Sequence, residues 1–189
     1  MLLTIGRRLG SYDVVALLGA GGMGEVYHAH DSRLQRDVAL KVLQIDNPEG
    51  RQRFRREALA IAALNHPNII TIYSVEEVEG LPFLTMELVD GARIDAHVSQ
   101  RRLGVAARLG LLRQAIDAVA FAHQRLLLHR DIRPGNVLVD ADGGVKLLDF
   151  GIASLVGDSN AVNAYSPGWA SPEQLAGKEV GPASDQYQL

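Results

Sequence analysis

The string His129-Arg130-Asp131-Ile132-Arg133-Pro134-Gly135-Asn136 gathers a carboxylate, an amide oxygen and two guanidinium groups, and Asp149-Phe150-Gly151 brings a second carboxylate further along. Oxygen donors arriving on separate loops suit a hard cation such as Mg2+, and a further carboxylate can orient a hydroxyl nucleophile. Asp-Phe-Gly alone reads as a turn; the longer string is the more specific signal. Upstream, Leu18-Gly19-Ala20-Gly21-Gly22-Met23-Gly24-Glu25-Val26 carries the spacing G-x-G-x-x-G between two stretches that read as strands. Glycines there let backbone N–H groups approach a polyphosphate closely. A dinucleotide site would place a helix directly after them, so the context argues against one, and a plain glycine-rich hairpin turn is the competing reading. Val38-Ala39-Leu40-Lys41 sets a lysine inside an apolar strand, where its charge is costly unless paired. Glu57 is the natural anionic partner, against the simpler reading of a lysine snorkelling at a strand edge.

These residues need elements to position them. Short apolar runs over 12–18, 25–29 and 37–43, broken by glycines and charges, predict three antiparallel strands. A helix is expected to open near Asn47-Pro48-Glu49, with Phe54, Ala58, Ile61 and Ala62 at helical spacing, and to end at Asn65-His66-Pro67-Asn68. Strands over 69–77 and 81–88, turned by Glu79-Gly80, complete a sheet carrying one helix. Beyond Asp90-Gly91, Leu109, Leu112, Ile116, Val119 and His123 mark a long amphipathic helix over about 105–125. Val137-Leu138-Val139 and Val145-Lys146-Leu147-Leu148 flank Asp140-Ala141-Asp142-Gly143-Gly144, a hairpin signal. The stretch from Gly151 to about Trp169 has little periodicity, a pattern of functional or disordered segments.

The ordered set Gly19-x-Gly21-x-x-Gly24-x-Val26, Val38-Ala39-Leu40-Lys41, Glu57, His129-Arg130-Asp131 to Asn136, Asp149-Phe150-Gly151 and Ser171-Pro172-Glu173 resembles the eukaryotic-type protein kinase signature, and its glycine loop is most similar to bacterial serine/threonine kinases. The likeness runs from Tyr12 to the last residue. It implies an α+β, two-lobed protein-kinase-like fold: an N-lobe over 1–89 (antiparallel sheet plus one helix) and a mainly helical, incomplete C-lobe over 90–189. It implies ATP-dependent phosphoryl transfer to serine/threonine hydroxyls of protein substrates in bacterial signalling, with ATP and Mg2+ as cofactors and homodimerisation as one route to activation.

By the same resemblance, Leu18 to Gly24 cover the ATP phosphates, Lys41 binds them and Glu57 pairs with Lys41. Asp131 accepts the hydroxyl proton, Arg133 faces the transferring phosphate, and Asn136 and Asp149 hold Mg2+. Val26, Ala39 and Leu138 sandwich the adenine, Met86 lies behind it, and Glu87 to Val89 form the hinge. Asp185 ties down the catalytic loop, Ser166 contacts Asp131, and Arg130 receives a phosphorylated loop.

The chain departs from the pattern in places. Arg133 stands where serine/threonine kinases usually carry lysine, a planar fork in place of a point charge. No threonine lies between Gly151 and Ser171; Ser154, Ser159 and Ser166 remain as acceptors, with the contact to Asp131 favoured over phosphorylation for Ser166. Arg51, Arg53, Arg55 and Arg56 read as a solvated helical face rather than a docking patch, and His66 and Trp169 as structural residues. The chain stops within the central helix of such a C-lobe, which keeps open a second reading: a truncated, catalytically incompetent kinase-like nucleotide-binding or scaffold module. A small-molecule phosphotransferase fits less well, because the Asp-Phe-Gly and Ser-Pro-Glu pair is present.

Composition narrows the classes further. Among 189 residues, 47% are hydrophobic and 22% charged, with 19 glycines and 7 prolines, an ordinary globular balance. A net charge of −3 supplies no basic face for nucleic acid, and the absence of cysteine excludes disulfides, thiolate metal sites and a cysteine nucleophile. The start lacks a signal-peptide pattern, and no stretch approaches the ~18 apolar residues of a membrane helix. The visible chain therefore reads as cytoplasmic and soluble.

Overall fold

Six short strands form one antiparallel sheet: β1 (Arg8–Leu9), β2 (Tyr12–Gly21), β3 (Gly24–Asp31), β4 (Arg36–Leu43), β5 (Ile72–Val78) and β6 (Leu81–Met86). Their order is β1-β2-β3-β4-β6-β5. The computed structural model describes residues 2–21, 24–45, 47–150 and 166–189. In the interior strand β4 every residue from Val38 to Leu43 is buried, five apolar residues and Lys41 among them. Leu9, Tyr12, Val14, Tyr27, Ala29, Leu40 and Phe83 build the core beside it. Helix α1 (Pro48–Ala62) begins as expected: Asn47 accepts the Gly50 N–H at 2.5 Å, and proline occupies the first turn, where a missing N–H costs nothing. Phe54, Ala58 and Ile61 form its buried stripe. Of the arginine run, Arg51 pairs with Glu77 at 3.1 Å, and Arg55 and Arg56 are exposed.

The chain divides into two units, Met1–Ala63 with Thr71–Leu88, and Leu64–Ile70 with Val89–Leu189. Within the second unit, Ile69 bridges Leu147 in parallel, and the Ile70 N–H donates to the Leu147 carbonyl at 3.0 Å. That pairing delays β5 to Ile72, later than the strand start expected from composition.

The second unit holds a three-stranded sheet of β7 (Gly91–Arg93), β8 (Val137–Asp140) and β9 (Val145–Leu147). Its helices are α2 (Ile94–Gln100), α3 (Val105–His123), α4 (Pro172–Leu175) and α5 (Pro182–Gln188), and a single 3-10 turn spans Pro134–Asn136. Asp140 accepts the Gly144 and Asp142 N–H groups at 2.7 and 3.0 Å, and Gly143 takes φ +84°, so the expected hairpin forms for a chemical reason. Gln114 of α3 ties that hairpin down, accepting the Val145 N–H at 2.9 Å and donating to the Gly143 carbonyl at 3.2 Å.

Helix α3 corrects one expectation. Its buried residues are Leu111, Ala115, Ala118, Val119 and Ala122, whereas Leu109 and Ile116 are 58% and 44% exposed. The three-and-four spacing of the expected stripe holds for Val119, while the rest of the buried face is Leu111 and three alanines. Among the described residues no helix is long and apolar enough to cross a membrane.

Candidate active site

In the first unit, the glycine-rich segment joins β2 to β3, with Gly21 opposite Gly24 and Gly19 opposite Val26. Gly22 and Met23 lie outside the described residues. Gly24 is required by the fold itself: its φ is +136°, and a Cβ there would lie 2.0 Å from the Val42 carbonyl oxygen. Around Gly19 and Gly21, by contrast, a Cβ would find no atom within 4 Å. Val26 pairs with Lys41, and Ala39 with Met86. Cross-strand partners share a face, and side chains alternate along a strand, so Val26, Ala39, Lys41 and Met86 occupy one face of the sheet. Lys41 is 4% exposed. Glu57 continues the Phe54, Ala58, Ile61 stripe of α1, and neither Lys41 nor Glu57 is a free charge. The Glu87 N–H donates to the Thr71 carbonyl at 2.9 Å as the chain leaves β6.

In the second unit, Asp131 is 5% exposed, with its carboxylate held from three sides. Asn136 Nδ2 donates to Oδ2 at 3.0 Å, Arg133 Nε to the same oxygen at 3.2 Å, and the Ser166 main-chain N–H to Oδ1 at 3.2 Å. Ser166 thus meets Asp131 as expected, with the bond coming from its backbone. Asn136 also donates to the Asp131 carbonyl at 2.8 Å. Both amide hydrogens are then spent on Asp131, leaving the Asn136 side-chain oxygen as an acceptor. The Leu148 N–H donates to the Asn136 carbonyl at 2.8 Å, so the chain leaving β9 runs beside Asn136 just before Asp149. Asp149 takes a left-handed backbone, φ +56°. Among the described residues no group of three or more His, Cys, Asp or Glu side chains could hold a metal. The donors at hand, one carboxylate and one amide oxygen, fit Mg2+, which keeps several waters and relies on substrate phosphates for further ligands. Leu138 lies on β8 between Arg93 and Lys146, and Val89 begins this unit's second segment. Gly151, Ser154 and Ser159 lie outside the described residues, and with them any phosphorylated partner of Arg130.

Beneath this loop sits a buried polar support. Asp185 of α5 is fully buried and accepts the His129 N–H at 2.8 Å, the Arg130 N–H at 2.7 Å and His123 Nε2 at 2.8 Å. His129 is itself fully buried, with its ring 4.7 Å from that of Phe150. Its Nε2 donates to the Leu148 carbonyl at 2.7 Å, while Nδ1 accepts the Asp131 N–H at 3.3 Å. That pattern needs the neutral Nε2–H tautomer. Burial accordingly holds the imidazole pKa below its ordinary 6.5, although Asp185, the Leu148 carbonyl, Asp131 and Asp149 pull the other way. Arg130, between the anchored groups, has φ +69°, a left-handed conformation uncommon outside glycine. Sequence reasoning singled out Asp185 but missed His123, Gln174 and Gln188; the last stands one helical turn beyond Asp185, and that spacing was the available signal.

Comparison with known proteins gives the same reading. A family model described as protein kinase domain matches residues 12–189. Serine/threonine-protein kinase PknB of Mycobacterium leprae is 40% identical over 94% of this chain and 31% of its own length. PrkC of Bacillus subtilis is 37% identical over 98% and 30%. The chain thus spans about a third of the curated relatives it matches. The crystal structure of the Mycobacterium tuberculosis PknI kinase domain aligns at a TM-score of 0.78 and 35% identity, covering 98% of this chain and 72% of that one. With the motifs in order, the α+β fold matched and nearly the whole chain covered, this chain belongs to the protein kinase domain family.

Proposed function

We propose that this domain transfers the γ-phosphoryl group of ATP to serine or threonine hydroxyls of protein substrates, in the cytoplasm and in bacterial signalling. Asn136 and Asp149 would hold Mg2+, which would supply neutralisation of the phosphate charge. Leu18 to Gly24 and Lys41 bind the phosphates, and Glu57 pairs with Lys41. The adenine-binding residues are Val26, Ala39, Met86 and Glu87 of the first unit and Val89 and Leu138 of the second. The substrate oxygen forms a bond to the γ-phosphorus as the bond to the bridging oxygen breaks, and ADP leaves with that electron pair. The hydroxyl proton passes to Asp131, and Arg133 stabilises charge on the transferring group. The protein's share of catalysis is position and electrostatics.

One observation carries the reading: a nearly buried carboxylate, Asp131, is clamped by Asn136, Arg133 and Ser166, and its rotamer is set before any substrate arrives. The test is transfer of labelled phosphate from Mg-ATP to a serine- and threonine-containing protein. Removal of the base in Asp131→Asn is expected to lower kcat by on the order of 10²–10⁴-fold while the melting shift with Mg-ATP persists. Equal transfer by wild type and variant would refute the role of Asp131.

A further inference from the structure

The three donors on the Asp131 carboxylate set its rotamer, but the position of its Cα depends on the two peptide units that flank it. Both units end on one side chain. Gln188, 6% exposed on α5, accepts the Ile132 N–H at 2.9 Å through Oε1 and donates to the Arg130 carbonyl at 3.3 Å through Nε2. The second Nε2 hydrogen goes to Gln174 Oε1 at 3.0 Å. Gln174, 3% exposed on α4, donates to the same Arg130 carbonyl at 2.7 Å and accepts the Ser171 N–H at 2.9 Å. Every atom that this network asks of Gln188 is used.

We propose that Gln188, seconded by Gln174, is a positioning residue for the transfer reaction, a clamp that fixes the backbone on both sides of Asp131. The inference rests on the phosphotransfer reading of Asp131. Arg130 sits between these bonds in its left-handed conformation, so its carbonyl would swing if the two amide donors were lost, and Asp131 would swing with it. The site demands an amide in particular: acceptors on one side (the Arg130 carbonyl and Gln174 Oε1), a donor on the other (the Ile132 N–H). A carboxylate at 188 sets oxygen against oxygen, whereas a protonated carboxyl, with one O–H and one C=O, restores much of the pattern. Gln174 lies in the short helix opened by the Ser171-Pro172-Glu173 motif, so the clamp also joins that helix to the catalytic loop.

The test uses the purified protein and three variants: Gln188→Met, close in volume and without hydrogen bonds, Gln174→Met, and Gln188→Glu. In Gln188→Met the Ile132 amide is expected to lose protection from hydrogen exchange, and kcat to fall by roughly 10- to 100-fold with KM for Mg-ATP unchanged, as for a misplaced reacting group. Gln174→Met is expected to produce a smaller loss of the same kind. For Gln188→Glu the ratio of its kcat to that of wild type should rise as the pH is lowered, because the carboxyl regains a donor; a residue acting only in stability would leave that ratio flat. Unchanged Ile132 exchange in Gln188→Met, or unchanged kcat beside an inactive Asp131→Asn, overturns the clamp while phosphotransfer stands. Absence of transfer by the wild-type protein defeats the phosphotransfer reading instead, and amide exchange at Ile132 then decides the clamp alone. If Gln188→Met does not fold, the pH ratio of Gln188→Glu decides it.

Discussion

Removing the Asp185 carboxylate is expected to damage the catalytic loop more than any other single truncation in the second unit, and the cost can be worked from its partners. Asp185→Ala strips the acceptor from two main-chain donors, the His129 and Arg130 N–H groups, and from His123 Nε2. The His123 side chain is 16% exposed, so water can replace its bond; the His129 N–H bond is buried and the Arg130 one half-buried. An orphaned buried donor costs about 1–3 kcal/mol, so the pair costs about 2–6 kcal/mol. Against a typical domain stability of about 5–15 kcal/mol this is a large fraction. At ~2–4 °C per kcal/mol for a chain of this size, the melting midpoint should fall by about 4–24 °C. Asp185→Asn separates hydrogen bonding from bulk. Its amide oxygen can keep the His123 and His129 bonds, but its NH2 then faces the Arg130 N–H, donor against donor. One orphaned donor predicts about 1–3 kcal/mol, between wild type and alanine. Urea titrations of the three proteins measure this order. An Asp185→Asn variant as stable as wild type, or as unstable as Asp185→Ala, would refute the assignment of one oxygen to Arg130 and the other to His129 and His123.

Two other perturbations have expected outcomes. Gly24→Ala places a Cβ 2.0 Å from the Val42 oxygen at φ +136° and should cost at least ~1–3 kcal/mol in strain, with loss of the Mg-ATP melting shift, whereas Gly19→Ala and Gly21→Ala, in open space, should leave the melt without nucleotide unchanged. Equal melts for Gly24→Ala and Gly19→Ala would contradict the backbone contact. For His129 the folded-state pKa lies below the ordinary 6.5, so below that pH the unfolded chain binds the extra proton first and stability falls as the pH drops through 6.5. The slope from this group is at most about 1.4 kcal/mol per pH unit; it should be absent from His129→Gln and so appear as the difference between the two stability profiles, and parallel urea-midpoint profiles would show that His129 is not held neutral.

The strands and helices nearest the motifs were legible because their signals are local. Asn47-Pro48 starts α1 through capping and a fixed proline φ, Asp140 to Gly144 turns a hairpin through side-chain acceptors, and β4 announces its burial by apolar residues on both sides of Lys41. Short elements were not: β7 and α2 carry little periodicity, and Gly91 is explained only by the Val139 oxygen 2.5 Å from where its Cβ would lie. The buried face of α3 holds three alanines beside Leu111 and Val119 and leaves Leu109 and Ile116 exposed, because which side of a helix meets its neighbours is a tertiary property. The strand expected from residue 69 begins at Ile72 because Ile69 and Ile70 find partners at Leu147, distant in sequence.

For the candidate site, residue type and order alone determined the family, and therefore which carboxylates, amide and lysine to consider, since that chemistry needs those groups whatever surrounds them. What only the folded chain decided is how Asp131 is held. The Ser166 backbone, Asp185 and the Gln174–Gln188 pair reach it from 35 to 58 residues away along the chain. Hydrogen bonds over such separations leave no periodic trace in a sequence, because their partners are chosen by where helices α4 and α5 come to rest and not by neighbouring residues.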